Sequence, residues 1–269
     1  MSPTRIAAGI EYCGTRYLGW QKQDQGPTIQ DCVEEALSSV ADHHVTVYCA
    51  GRTDAGVHAV RQVVHFDTTA LREAHNWMFG ANVQLPPDIS FVWVQPVPAE
   101  FHARYSATGR TYRYLILNRK ARPGLLPRFA TWECRELDAE RMATASAALL
   151  GRHDFSAYRA VECQARSPVR EVRSLDVRRM GEYITIHIEA DAFLQHMVRN
   201  IAGVLMEIGM GRQPIDWART VLESRQRTMG GVTAPPDGLY LVDVQYPPEF
   251  GLPRAEPLFW PPAMHGTRP

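Results

Sequence analysis

Gly51-Arg52-Thr53-Asp54-Ala55-Gly56-Val57-His58-Ala59 is flanked by two apolar runs, Val45-Thr46-Val47-Tyr48-Cys49-Ala50 before it and Gln62-Val63-Val64-His65-Phe66 after it. β-Branched and aromatic residues dominate both runs, so each reads as a strand and the stretch between them as a loop. Gly51 and Gly56 let its backbone turn tightly and approach a ligand closely. Two readings stand for Asp54. It can cap the amides of its own turn, as Asp does in many hairpins. Alternatively it is an acid presented at the tip of a rigid loop beside Arg52, a pairing suited to catalysis or to nucleic-acid contact.

Working outward, Arg5 to Tyr12 reads as a first strand and Cys13 to Gln21 as a glycine-bounded loop. Thr28 is a candidate N-cap for a helix over 29–40, where Ile29, Val33, Ala36, Leu37 and Val40 share one face. A second helix is expected over 71–79 and a strand over 89–94. The order strand, helix, strand, strand, helix, strand is that of a split βαβ unit. After a polar link, Thr111 to Leu117 forms a strand with Tyr112, Tyr114 and Ile116 on one face. A helix over 138–150 with Asp138 as cap, strands over 169–178 and 183–190, helices over 193–209 and 215–224, and a strand over 239–244 repeat the pattern in outline. The expected division is 1–105, 106–246 and a Pro-rich tail over 247–269, either disordered or draped on the surface.

At 269 residues the chain can bury a substantial core, and its 45% hydrophobic content is that of a globular protein. Lys+Arg and Asp+Glu both total 29, so net charge does not announce a partner. Distribution says more. Phe101 to Trp132 carries Arg104, Arg110, Arg113, Arg119, Lys120, Arg122 and Arg128 with no acidic residue. A positive face of this kind attracts phosphates, although it also serves as a plain solvated surface. The 5 cysteines form no Cys-x-x-Cys pair, which argues against a disulfide framework. His43-His44, His58 and His65 fit no standard zinc spacing, so no metal site is expected. No secretory signal and no membrane-length apolar run is visible, so a cytoplasmic location and no membrane contact are expected.

The Gly-Arg-Thr-Asp-Ala-Gly-Val-His run resembles the active-site signature of the tRNA pseudouridine synthase A family. Phe101-His102-Ala103-Arg104 and Arg110-Thr111-Tyr112-Arg113-Tyr114 resemble its second motif, Asp191 to Asn200 a third, and Gly238-Leu239-Tyr240-Leu241 the last. Similarity runs from about Ile6 to Tyr246, with the motifs in family order. The resemblance implies an α+β pseudouridine synthase fold, two ferredoxin-like halves with joined mixed sheets around a central catalytic cleft. It implies isomerisation of uridine to pseudouridine at positions 38, 39 and 40 in the tRNA anticodon stem-loop, by a homodimer without metal or organic cofactor. Asp54 would be the catalytic carboxylate, Tyr112 would pack on the uracil, Leu239 would lie beneath it and Arg199 would pair with Asp54. Arg52 would enter the stem and hold the flipped nucleotide out. RNA contacts would come from Phe101, His102, Ala103, Arg104, Tyr105 and Arg110, and from Glu162, Cys163, Gln164, Ala165 and Arg166. By residue pattern alone, the favoured reading of Tyr112 is a half-buried strand residue, and Arg199 reads as an exposed helical charge. The competing function is a catalytically inactive tRNA-binding protein.

Overall fold

The structure, a computed structural model, describes residues 3–253. Ten strands join in one sheet. They are β1 (Thr4–Tyr12), β2 (Tyr48–Cys49), β3 (His58–Thr68), β4 (Ile89–Pro96), β5 (Gly109–Asn118), β6 (Thr131–Glu133), β7 (Gly151–Asp154), β8 (Val169–Met180), β9 (Tyr183–Ala190) and β10 (Leu239–Gln245). Five α-helices accompany them: α1 (Ile29–Ala41), α2 (Ala74–Gln84), α3 (Ala139–Ser146), α4 (Met197–Gly209) and α5 (Trp217–Ser224). The sheet order is β4-β1-β3-β10-β5-β9-β8-β7, with β2 on β3 and β6 on β5. Among the described residues no helix is long and apolar enough to cross a membrane.

Within this sheet β4-β1-β3-β2 are antiparallel neighbours, and so are β10-β5-β9-β8. The seam between the two sets is the parallel pair β3–β10, which matches only Tyr240 with His58 and Leu241 with Ala59. Farther along β3 the same edge belongs to β2, at Val64 and His65. One edge thus serves two partners, and the 50–57 loop fills the gap where they diverge. Opposed residues share a sheet face. A row Tyr12, Ala59, Leu241, Tyr112, Ile188 therefore crosses five strands on one face, and every member is buried.

Several expected elements shift for local reasons. The run before the loop is buried at Val45 and Val47 but pairs as a strand only over Tyr48–Cys49. The Val45 amide donates to Ser38 Oγ and the Val47 amide to Glu34 Oε1, so side chains of α1 take the bonds a ladder would have made. The second helix lies at Ala74–Gln84 rather than 71–79, with Trp77 and Ala81 buried one turn apart. The Asp138 cap is present, donated to by the amides of Glu140 and Arg141, but α3 tightens into a 3-10 turn over Ala147–Leu149. The helix expected over 193–209 begins only at Met197, because His196 is left-handed at φ 61°. The helix expected from 215 likewise begins at Trp217. Thr28 does cap α1, accepting from the Asp31 amide. The start of the tail is packed: Phe250 meets Phe101 at 5.1 Å and Gln95 Nε2 donates to the Gly251 carbonyl. The rest of that tail, 254–269, lies outside the described residues.

Candidate active site

The 50–57 loop is held from below by buried polar bonds. Gln62, with no exposed surface, donates from Nε2 to the Gly51 carbonyl at 2.6 Å and accepts the Gly51 amide on Oε1. Tyr12 Oη and Thr53 Oγ1 share a hydrogen bond of 2.8 Å. Unmade, such buried bonds would cost about 1–3 kcal/mol each, so the loop is rigid at its base. From above, the Trp20 amide donates to the Thr53 carbonyl and the Gly56 amide to the Tyr17 carbonyl. Gly19, at φ +98°, lies so close that a Cβ there would stand 2.5 Å from Thr53 O. The loop closes on itself through the Val57 amide and the Asp54 carbonyl. Its exit is fixed by His58, whose Nδ1 accepts the Gly14 amide, so Nε2 carries the proton and donates to Arg128 O.

Asp54 is presented at the top of this scaffold with a partly open side chain. Arg199, in the first turn of α4, donates from Nη1 to Asp54 Oδ2 at 3.1 Å. Its Nε donates to Ala234 O at 2.9 Å, while its own carbonyl accepts the Ala234 amide. The guanidinium is therefore clamped between the 232–234 segment and the carboxylate. A charge-assisted bond of this kind orients the carboxylate. Gly203 permits the approach, since a Cβ there would stand 2.1 Å from Val232 O.

Tyr112 and Leu239 lie on the same sheet face and are 8% and 5% exposed. Phe193 packs edge-on against the Tyr112 ring at 5.0 Å. Burial pushes the Tyr112 phenol well above its usual range, with the nearby Asp54 charge adding to the rise against the opposing pull of Arg110. The ring is an apolar wall rather than an acid. Leu239 opposes Tyr114, whose hydroxyl donates to Pro235 O. The structure thus joins Asp54 to Arg199 and sets Tyr112 near that carboxylate, while Leu239 shares the sheet face of Tyr112 on the neighbouring strand.

The remaining residues divide. Arg52 is exposed beside Asp54 and makes no hydrogen bond or ion pair among the described residues. Phe101 and Ala103, expected as RNA contacts, are fully buried, Phe101 among Tyr246, Phe250 and His65. Their apolar side chains belong to the core, which corrects that expectation. Arg110 is half-buried, donating to the carbonyls of Ala50, Arg104 and Asp191, so it braces the loop's entry. His102 accepts the amides of Arg104 and Tyr105 on Nδ1, and its ring packs at a tilt against Tyr105 at 4.4 Å. Arg104 and Tyr105 face solvent, with Tyr105 76% exposed. Glu162, Gln164 and Arg166 point outward from a loop that Cys163 and Ala165 pin to the core. That loop adjoins the site, since the Ala160 amide donates to Gln195 O.

Sequence reasoning missed His196, whose Nε2 lies 3.4 Å from Asp54 Oδ2. It lay inside an expected helix, where i and i+3 neighbours such as His196 and Arg199 share a face, and that spacing was its one signal.

A family model described as tRNA pseudouridine synthase matches residues 8–106 and 145–247. A protein named tRNA pseudouridine synthase A from Nitrosococcus oceani is 58% identical over 250 residues, covering 93% of this chain and 96% of that one. Namesakes from Coxiella burnetii and Alcanivorax borkumensis are 53% and 54% identical, covering 96% and 95% of this chain and 99% and 96% of theirs. With half or more of its positions matched along nearly its whole length, this chain belongs to the tRNA pseudouridine synthase family.

Proposed function

We propose that the protein isomerises uridine to pseudouridine at positions 38, 39 and 40 of the tRNA anticodon stem-loop, as a cytoplasmic homodimer. The observation that carries this reading is the Asp54–Arg199 contact at 3.1 Å, set beside Tyr112 and Leu239 on one apolar face. In the reaction the N1–C1′ bond breaks, the uracil turns, and C5 bonds to C1′. C5 loses a proton and N1 gains one, so the base is both leaving group and nucleophile. Asp54 supplies the carboxylate at the sugar. Tyr112 and Leu239 form the slot that keeps the freed uracil from escaping. Arg52 occupies the space of the flipped nucleotide, against an unstacking cost of a few kcal/mol. His102, Arg104, Tyr105 and the 162–166 loop take the RNA on either side.

In this reading 1–105 and 106–246 are two ferredoxin-like halves and 247–269 is an appendage. The repeated order of antiparallel neighbours supports the halves, as does the split of the family match into two segments. The cleft lies at the β3–β10 seam, where the Asp54 loop emerges.

The test is site-resolved pseudouridine mapping on unmodified tRNA with wild type and Asp54→Asn. Modification at 38–40 by wild type alone is the expected result. Binding without modification by either protein would replace the reading with that of an inactive tRNA binder. Modification at other positions would keep the chemistry and overturn the site preference.

A further inference from the structure

His196 occupies the residue before α4 in a left-handed conformation, φ 61° and ψ 3°, and its side chain makes no capping bond. That position ordinarily takes Ser, Thr, Asp or Asn, whose oxygen satisfies a helix amide. A non-glycine residue held there is strained. The backbone gains nothing that glycine would not give: the His196 carbonyl accepts the Asn200 amide whatever the side chain. The imidazole has one polar partner among the described residues, and it is Asp54 Oδ2 at 3.4 Å. Arg199 Nη1 takes that same oxygen, and Oδ1 accepts no hydrogen bond from any described residue. The helix start carrying both groups is fixed by Asn200, whose Nδ2 donates to Tyr158 O and whose Oδ1 accepts from Arg227 and Thr233.

We infer that His196 is a second positioning residue for the isomerisation: Nε2–H and the Arg199 guanidinium together hold Asp54 Oδ2, which leaves Oδ1 aimed at the sugar. The contact is loose without RNA and closes when the nucleotide is seated, as hydrogen bonds in active sites do. Arg199 alone can pin Oδ2 but leaves the carboxylate free to swing about that one bond; a second donor on the same oxygen restricts the swing. The inference rests on the proposed isomerase reading.

His196→Gly is the informative variant, because glycine accepts φ 61° freely and removes only the imidazole. Single-turnover rates and tRNA affinity are measured separately on full-length protein. The expected result is an unchanged thermal midpoint, tRNA affinity within about twofold, and a rate lowered roughly tenfold to a hundredfold. Millimolar free imidazole restores at least several-fold of that rate in the Gly variant and nothing in wild type. His196→Asn, which also tolerates the left-handed backbone, is read the same way should the Gly variant be unstable. A Gly variant within about twofold of wild type overturns the inference, as does a loss that imidazole fails to relieve. Wild type that makes no pseudouridine refutes the isomerase reading itself, and an active wild type with an equally active variant refutes only the role of His196.

Discussion

Gly19→Ala tests whether the loop's placement, rather than its composition, governs the reaction. Gly19 is at φ +98°, and an added Cβ would stand 2.5 Å from Thr53 O and 2.9 Å from the Asp54 carbonyl carbon. Neither side can retreat easily. The Gly19 carbonyl accepts the Ile29 amide at the start of α1, and the Thr53 carbonyl accepts the Trp20 amide. Relief to an ordinary contact of 3.4 Å requires the loop to move by about 0.9 Å, and overpacking of this kind costs about 1–3 kcal/mol. The positive φ adds about 1–2 kcal/mol. For a chain of this size the thermal midpoint should fall by roughly 5–12 °C. A 1 Å misplacement of a reacting group costs on the order of a hundredfold, so the rate should fall about tenfold or more. The assay is tritium release from tRNA labelled at uridine C5, since that hydrogen departs as C5 bonds to C1′, run well below the variant's midpoint and beside a binding measurement. A variant destabilised as expected, yet within about twofold of wild-type rate, would show that the Thr53–Asp54 backbone need not be held by its neighbour, refuting the reasoning.

Three further outcomes follow from the same geometry. Arg199→Lys loses the fork that spans Asp54 Oδ2 and Ala234 O, so single-turnover rate should drop about a hundredfold with tRNA affinity little changed; an equal drop in affinity would assign Arg199 to the RNA instead. Gln62→Leu leaves the Gly51 amide and carbonyl unpaired and should cost about 2–3 kcal/mol in urea unfolding. His65 is buried with Nδ1 accepting the Ala103 amide, and burial, reinforced by His102 and Arg5, pushes its pKa down to about 4. Its neutral form is the folded one, so its stability contribution is complete above about pH 6.5 and is lost as pH falls towards 4. Wild type should lose about 2–3 kcal/mol from this source between pH 7 and 4.5, and His65→Asn, which can still accept the amide, should lack that part of the slope.

The sequence is legible where a local pattern decides the structure. Thr28 and Asp138 announce their helices because a side-chain oxygen is the natural partner of a free first-turn amide, and both make that bond. Patterns mislead where tertiary bonds compete. Val45 and Val47 are as apolar as any strand, yet Ser38 and Glu34 of α1 claim their amides. The apolar period from Phe193 runs smoothly into α4, and nothing in it marks the reversal at His196. For the site, residues 145 positions apart meet at the Asp54–Arg199 contact, and no periodicity connects them. Only the family resemblance did so. It also drew Phe101 and Ala103 to the RNA side, because a motif marks which residues matter without separating those that touch a ligand from those that hold up the ones that do.

The seam between β3 and β10 sets the order in which this protein can come into being. His58 and Ala59, at the exit of the Asp54 loop, complete their edge with Tyr240 and Leu241, close to the end of the described chain. Pairings this distant in sequence must meet the entropy of closing a long loop before they are rewarded, and they form late. On the ribosome, β1, β3 and β4 emerge and pair long before β10 exists. The nascent chain therefore carries an unfinished β3 edge beside the Asp54 loop until β10 is released. A transcript truncated ahead of Leu239 would yield a protein with most of its core, no working site and an open strand edge, the kind of surface that invites aggregation.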